Sequence, residues 1–279
     1  MSEAGVRSSI GDDYQDSLAV WWLSRMLSDE ALMEVEVEST SLVNDERVRV
    51  DDVIIRMQDG RTIFCQCKVN HPKRGTWDVA ALEDDLRKAW GHWKRVPEGN
   101  IHFYSSGPFG DLQHLQERAE RMPDTAAFLH EMPKNIFTEY SKFLQIIAQN
   151  QFASDEIYSF FRHVHFFVKA DRDLLAEAQS YLYHHVTQKQ MALTLLKDEV
   201  RRVTCRRLTI DSSEAQAKNH LISRQRLLDL LHTAGLRITP RFSKGDLTTY
   251  FARYSNRGRV WRRNIKEHHF VRPQQEELI

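Results

Sequence analysis

Alternating apolar and polar residues between positions 47 and 69 predict two neighbouring β-strands joined by a turn at Asp59-Gly60. The second strand, 62–69, has bulky side chains on both faces, which predicts an inner position in a sheet. One of those faces also carries Gln66 and Lys68, and the first strand, 47–55, carries Asp52 among apolar neighbours. Because a buried charge without a counter-charge or a metal is unfavourable, we expect these polar residues to lie together.

The length of the turn decides which aspartate faces the second strand. A three-residue loop, 58–60, with Gly60 in the left-handed conformation sets Asp52 opposite Gln66. A two-residue loop, 59–60, sets Asp51 opposite Lys68 instead. Either register gathers one aspartate, Gln66 and Lys68 on one face. We favour Asp52, because the other residues on its strand face are apolar.

This combination of oxygen ligands is suited to Mg²⁺, which uses one or two carboxylates and keeps several waters; Mn²⁺ is expected to substitute. We predict Asp52 and Gln66 as metal ligands, with the backbone carbonyl of Cys67 as an alternative to the Gln66 amide oxygen. Glu38 is the predicted third ligand, and Glu36 is the weaker alternative to it. Such an ion polarises a phosphodiester and helps to generate hydroxide, while Lys68 orients the water or neutralises charge on phosphorus. The predicted chemistry is hydrolysis of a nucleic-acid backbone.

The two glutamates belong to a short segment with strict alternation, 33–38, which predicts a strand. Its inward-facing residues are predicted to be Met33, Val35 and Val37.

Two sequence motifs resemble those of known nucleases. Asp52-Val53-Ile54-Ile55, a hairpin and Gln66-Cys67-Lys68 resemble the PD-(D/E)XK nuclease superfamily, in a version with glutamine in place of the last acid. Gly11-Asp12-Asp13-Tyr14-Gln15 is similar to the opening of the nuclease domains of bacterial anti-phage effectors. Those effectors include CD-NTase-associated (CBASS) endonucleases and STAND-type defence ATPases.

The resemblance implies a role for each motif residue. Gln15 takes the place of an acid on the first helix near the metal, Asp52 is the main metal ligand, and Gln66 and Lys68 are the paired residues of the last strand. Glutamine at position 66 leaves the metal site one charge poorer than the acid form. The spacing from Glu38 to Asp52 is long, so the motif does not settle which residue is the first acid of the metal site.

The remaining pattern predicts an α/β fold, a restriction-endonuclease-like mixed sheet flanked by helices, with a mainly helical C-terminal extension. Helices are expected at 12–27 and 77–95, a strand at 100–105, and then mainly helices to about residue 203 with a strand at 163–168. We predict a nuclease domain at 1–210, made of a motif-bearing core, 10–110, and a helical completion, 111–210. A helical, basic extension or connector to a missing module is predicted at 211–279.

Other chemistry-bearing residues are weaker candidates. Lys73 and Arg74 follow the predicted site in a loop and are expected to contact phosphates, which positions a duplex without reading its sequence. A basic and aromatic segment, 237–266, is predicted either to lie on DNA or to form an interdomain surface. His163 and His165 are expected on one strand face as ordinary sheet residues.

Composition limits the remaining function classes. The chain has 39 basic and 39 acidic residues, so DNA binding has to come from a local patch. Three cysteines do not make a disulfide framework and are typical of a reducing cytoplasm. No stretch reaches membrane-spanning length and the first residues are not a signal peptide, so we expect a cytoplasmic protein that meets no membrane. The sequence has no phosphate-binding loop of a nucleoside triphosphatase, so we expect any ATPase in another chain or in a missing part of this one.

The sequence therefore predicts a magnesium-dependent endonuclease that cleaves double-stranded DNA with little sequence specificity, as the effector of a bacterial anti-phage system. Homo-oligomerisation on activation and a sensor or NTPase module in the same or a partner chain are expected from the resemblance. The alternative is a catalytically weak nucleic-acid-binding or scaffolding domain on the same fold, or an RNase.

Overall fold

The structure, a computed structural model, describes residues 3–37, 42–43, 46–47, 52–69, 75–147, 154–204 and 221–237. The chain forms two compact units, Met1–Arg237 and Ile238–Ile279. The second unit lies wholly outside the described residues, and with it most of the basic and aromatic segment 237–266.

The described part of the first unit contains both helices and strands. The helices are α1 Glu3–Arg25, α2 Glu83–Arg95, α3 Gly110–Arg121, α4 Thr125–Leu129, α5 Lys134–Ile147, α6 Ser154–His163, α7 Asp171–His185, α8 Lys189–Thr204 and α9 Arg224–Leu231. The strands are β1 Leu32–Val37, β2 Leu42–Val43, β3 Glu46–Arg47, β4 Val53–Met57, β5 Thr62–Lys68, β6 Asn100–Ser105, β7 Val164–Val168 and β8 Leu221–Ser223.

Six of these strands form one mixed sheet in the order β7-β6-β5-β4-β1-β8. Strands β5, β6 and β7 run parallel, whereas β4 is antiparallel to both β5 and β1, and β8 is antiparallel to β1. Helices cover both faces, so the predicted α/β class with a mixed sheet flanked by helices is confirmed. Strand β5 lies inside this sheet, as its two bulky faces predicted.

Each face of the sheet has its own hydrophobic core, and the alternation of β5 shows the division. Cys65 packs into the core beneath α1, α7, α8 and α9. Its neighbour Phe64 packs into the opposite core, which α2, α3, α5 and α6 cover. The period-two pattern of the sequence therefore corresponds to two buried surfaces rather than one buried and one solvated surface.

The turn between β4 and β5 is the three-residue loop. The register pairs Val53 with Cys65 and Arg56 with Thr62, which sets Asp52 opposite Gln66. Gly60 closes the loop with a φ of +85°, a left-handed conformation that favours glycine, and its amide donates to the carbonyl of Met57 at 3.1 Å. The favoured register is confirmed.

Strand β1 differs from the sequence prediction at its beginning. Met33 was expected to face inward, but its side chain is 39% exposed and Leu32 is buried instead. The register with β4 shifts between Leu32 and Glu34, which is a β-bulge, and an extra residue on one strand reverses the inward and outward sides. Val35 and Val37 face the core as predicted.

The predicted helix at 77–95 is shorter in the structure and begins at Glu83. The preceding segment, 77–82, is irregular and buries only Trp77, Val79 and Leu82, and two of its backbone amides bind other parts of the fold. Trp77 donates to the carbonyl of Pro108 at 2.8 Å, and Val79 donates to a carboxylate oxygen of Glu139 at 2.8 Å. Its apolar residues match a helical period and yet belong to a loop.

Two further boundaries differ from prediction. His163 is the last residue of α6 and not part of β7, so it does not share a strand face with His165. Leu221, which belongs to the extension predicted to be helical, lies in β8, which pairs with β1. The predicted domain boundary at residue 210 lies outside the described residues, but 221–237 packs on the same sheet as the predicted nuclease domain. Among the described residues, no helix is long and apolar enough to cross a membrane.

Candidate functional site

The centre of the candidate site is the carboxylate of Asp52, at the point where β4 begins beside β5. Its Oδ2 atom accepts a hydrogen bond from the side-chain amide of Gln66 at 2.7 Å and one from the backbone N–H of Cys67 at 2.6 Å. The backbone N–H of Asp52 donates to the carbonyl of Cys65 at 2.9 Å, which ties the residue before β4 to β5. The strand pairing therefore fixes both the position and the orientation of this carboxylate.

Burial raises the pKa of Asp52 above the ordinary value of an aspartate. The hydrogen bond from Cys67, the positive charge of Lys68 and the hydrogen bond from Gln66 lower this pKa, while the negative charge of Asp85 raises it. Desolvation is the largest of these influences, so the net pKa is raised. A carboxyl group with a perturbed pKa beside a specific charge partner is a common mark of a functional site.

Lys68 forms an ion pair that the sequence analysis did not predict. Its ammonium nitrogen lies 2.8 Å from Oδ2 of Asp85, and the two side chains are only 21% and 19% exposed. Asp85 belongs to the first turn of α2, where three acids follow one another. That acidic turn was the available signal, but only the packing of α2 on β5 shows which acid reaches Lys68.

Two consecutive residues of α1 bind the backbone of the sheet near the site. Gln15, buried at 8% exposure, donates from its side-chain amide to the carbonyl of Asp52 at 3.0 Å. The hydroxyl of Tyr14 donates to the carbonyl of Lys169, just beyond β7, at 2.9 Å. Burial raises the pKa of Tyr14, which keeps this donor protonated. The structure thus places Gln15 next to Asp52 and gives Tyr14 an anchoring role that the sequence analysis missed.

The sulfur of Cys67 stays neutral in these surroundings. Burial, the charge of Asp52 and the neighbouring Cys65 raise the pKa of the Cys67 thiol well above its usual range. A thiol in this state is neither a nucleophile nor a metal ligand, since both roles need the thiolate. The contribution of Cys67 to the site is its backbone N–H.

The site lies where the three parallel strands end. Lys68 of β5 is level with Ser105 of β6, and Ser105 is level with Val168 of β7. The hydroxyl of Ser105 accepts from the indole N–H of Trp77 at 2.8 Å and from the backbone N–H of Gly107 at 3.0 Å. In α/β sheets, ligands bind outside the carboxyl ends of parallel strands.

Glu36, the weaker alternative acid, is engaged elsewhere. Its side chain is 1% exposed, and Oε2 lies 2.6 Å from a guanidinium nitrogen of Arg56 on the adjacent strand. The register places Glu36 opposite Ile54, two residues along β4 from Asp52, and its carboxylate is paired with Arg56 further along the same strand. We therefore assign Glu36 to an ion pair between β1 and β4.

The other predicted site residues lie outside the described residues: Glu38, Lys73 and Arg74, together with the alternative aspartate Asp51. Among the residues that the structure does describe, no group of three or more histidine, cysteine, aspartate or glutamate side chains is arranged to hold a metal ion. The side-chain nitrogen of Gln66 donates to the Asp52 carboxylate, so the two residues can share a cation only when the Gln66 amide turns its oxygen towards the site. One carboxylate and one amide fit a cation that keeps most of its waters, as Mg²⁺ does.

Comparisons with known proteins do not assign the chain to a family. No protein-family model matches it, and no curated protein shows a significant match. Among solved structures, the fold is similar to the Cap4 SAVED/CARF-domain receptor of Acinetobacter baumannii with the cyclic trinucleotide 3′3′3′-cAAA, at 13% identity and a TM-score of 0.47, covering 80% of this chain and 47% of that one. The Cap4 SAVED/CARF-domain receptor of Moraxella osloensis is similar at 12% identity and a TM-score of 0.48, covering 81% of this chain and 47% of that one.

This chain spans about half the length of those structures. Similarity at this sequence identity and TM-score does not assign a function to this chain.

Proposed function

We propose that this protein is a metal-dependent phosphodiester hydrolase, an endonuclease that cuts double-stranded DNA. The observation that carries the proposal is the half-buried carboxylate of Asp52, bound by Gln66 and close enough to Lys68 for its charge to shift the Asp52 pKa. An acid, an amide and an ammonium at the carboxyl end of a parallel strand are the groups that this hydrolysis needs.

Asp52 and Gln66 would hold the ion, Mg²⁺ or Mn²⁺. When bound, the ion supplies Lewis-acid polarisation of the phosphodiester and lowers the pKa of water. The ammonium of Lys68 neutralises charge that develops on the phosphorus oxygens. The backbone N–H of Cys67 holds the Asp52 carboxylate in one orientation, and Gln15 holds the Asp52 backbone from the other side.

Several features support DNA as the substrate and little specificity. Acidic and basic residues balance over the chain, so phosphate contacts have to be local, and Lys73 and Arg74 follow the site in sequence. Neither a helix-turn-helix reader nor a zinc finger is recognisable in the sequence. The proposed role as effector of an anti-phage system, with self-association on activation and a sensor or NTPase partner module, rests on the resemblance of the Gly-x-x-Tyr-Gln and Gln-x-Lys motifs.

The test is nicking of supercoiled plasmid in Mg²⁺ or Mn²⁺. We expect Lys68→Ala to reduce the nicking rate by about 100-fold or more, the usual cost of losing one group that stabilises transition-state charge. Lys88→Ala is the matched control, because Lys88 is an exposed lysine on nearby α2. Equal nicking by the wild type and Lys68→Ala would overturn the assignment of the site.

A second candidate function is a nucleic-acid-binding or scaffolding domain without hydrolysis. It is favoured by the absence of a three-residue metal cluster among the described residues and by the neutral Gln66. Isothermal titration with Mn²⁺ separates the two proposals, since a hydrolase of this kind has to bind the ion at millimolar concentration or below. Parallel RNA and DNA substrates distinguish an RNase from a DNase.

A further inference from the structure

The ion pair between Lys68 and Asp85 joins the candidate site to helix α2. Its nitrogen–oxygen distance is 2.8 Å, and about four-fifths of each side chain is buried. A pair screened from water in this way holds its geometry better than an exposed pair does. The charges of both residues also act on Asp52: the charge of Lys68 lowers the Asp52 pKa, and the charge of Asp85 raises it.

Lys68 needs an external partner to hold one position. It is the last residue of β5, and its flexible four-carbon stem loses rotamer entropy when the ammonium is fixed. The strand sets the direction of the side chain but not the place of its charge. An anionic partner on a rigid element sets that place.

Asp85 is on such an element. Helix α2 packs Leu86, Ala89, Trp90 and Trp93 into the same core as Phe64 of β5. Asp85 lies next to Leu86 in the first turn, where the helix dipole stabilises a carboxylate. The other two acids of the turn are exposed, and Glu83 pairs with Arg87 on its own helix at 2.7 Å. Of the three acids, only Asp85 has an ion pair with the sheet.

We propose that Asp85 is a positioning residue of the site, which holds the ammonium of Lys68 beside Asp52 in the geometry that the reaction uses. This inference rests on the proposed hydrolase function and adds a residue to it. Asp85 acts through Lys68, not by contact with the substrate. The effects of substituting Asp85 and Lys68 on the nicking rate should therefore be non-additive.

The kinetic test is a double-mutant cycle on plasmid nicking. Asp85→Asn should lower kcat by about tenfold or more, since small misplacements of a catalytic group carry costs of this size, and it should leave KM for DNA unchanged or lower. If Asp85 only repelled DNA, Asp85→Asn would lower KM with no loss of kcat. In the Lys68→Ala background, Asp85→Asn should have no further effect.

Two variants control for structure. Asp84→Asn removes an exposed acid from the same turn and should nick DNA like the wild type. Asp85→Glu keeps the charge and should retain more activity than Asp85→Asn. Thermal unfolding of each variant shows whether the fold is intact, and Asp85→Glu keeps the test decisive if Asp85→Asn does not fold.

A readout independent of activity is the side-chain ¹⁵N signal of the Lys68 ammonium, assigned by its loss in Lys68→Ala. Wild type and Asp84→Asn should show slow proton exchange at this ammonium, and Asp85→Asn should show fast exchange. The inference is overturned if Asp85→Asn leaves the exchange unchanged, or if it nicks DNA like the wild type while Lys68→Ala does not. If the wild type itself fails to nick, the proposed function fails, and the ¹⁵N measurement alone decides whether Asp85 holds Lys68.

Discussion

The side-chain amide of Gln15 donates a hydrogen bond to the backbone carbonyl of Asp52 at 3.0 Å, which ties helix α1 to the residue at the centre of the candidate site. Tyr14, the preceding residue, binds the carbonyl of Lys169 at 2.9 Å. Two adjacent residues of one helix thus hold the backbone at the start of β4 and just past the end of β7. The tyrosine and glutamine of the motif have a structural reason to stand next to each other.

Gln15→Ala should lower the free energy of unfolding by about 1–3 kcal/mol, because a buried carbonyl loses its partner. We also expect slower plasmid nicking, since the Asp52 backbone is held less firmly. Urea denaturation followed by circular dichroism measures the first effect. The control is Asp13→Ala on the same helix, where the side chain is exposed. An unchanged urea midpoint for Gln15→Ala would contradict the anchoring role.

Tyr14→Phe removes the hydroxyl but keeps the buried ring. The expected loss of stability is about 1 kcal/mol, the usual net contribution of one hydrogen bond. Nicking should suffer less than in Gln15→Ala, because Tyr14 anchors Lys169 and not Asp52. Initial nicking rates of the two variants check this expectation. A larger loss of nicking in Tyr14→Phe than in Gln15→Ala would indicate that Tyr14 takes a more direct part in the reaction than its contacts show.

Asp52→Asn should separate activity from stability. Burial raises the Asp52 pKa in the folded state, so the folded protein favours the protonated form. This contribution to stability is fully present below the ordinary aspartate pKa of about 3.9 and is lost as the pH rises through the raised pKa. At pH 7 the wild type carries the cost of a buried charge, and the asparagine variant does not.

We therefore expect the Tm of Asp52→Asn to equal or exceed that of the wild type at pH 7, with the difference shrinking towards about pH 4. Nicking should fall by about 100-fold or more, the equivalent of several kcal/mol of lost metal-ion catalysis. Calorimetry at the two pH values measures the stability effect. A variant that is clearly less stable than the wild type at pH 7 would indicate a structural role for the Asp52 charge.

Glu36→Gln should have the opposite profile. Glu36 is almost fully buried against Arg56, so loss of its charge should cost about 1–3 kcal/mol of folding free energy. The folded fraction should nick DNA at the wild-type rate, because the Glu36 carboxylate is paired with Arg56. Urea denaturation and nicking assays on the same preparation test both expectations. A loss of nicking without a loss of stability would indicate that Glu36 is a metal ligand.

Removal of divalent cations should abolish nicking. We expect EDTA to stop the reaction and excess Mg²⁺ or Mn²⁺ to restore it, since Asp52 and Gln66 offer oxygen ligands of the kind that these ions prefer. Thermal unfolding with and without EDTA is the control, and the fold should remain intact. Nicking that persists in EDTA would point to a mechanism without a metal.

Local rules account for the centre of the site. Side-chain parity along β5 places Gln66 and Lys68 on one face, and the three-residue turn with Gly60 sets Asp52 opposite Gln66. Both depend on residues close in sequence, so the pattern and the turn chemistry reduced the choice to two registers, of which the favoured one is present in the structure. The same local reasoning was wrong at Met33, because a bulge changes parity without a clear mark in the sequence.

The sequence by itself determined the α/β class and the gathering of one aspartate with Gln66 and Lys68 on one strand face. It left two hairpin registers open, and the structure has the one that sets Asp52 opposite Gln66. Only the tertiary structure decided that Asp85 holds Lys68, that Gln15 binds the Asp52 backbone and that Glu36 belongs to Arg56. The Asp85 and Gln15 contacts depend on how a helix packs against the sheet, and the choice of partner for Glu36 depends on how β1 pairs with β4. Packing and pairing of this kind follow from the shapes of whole buried surfaces, which no short stretch of residues specifies.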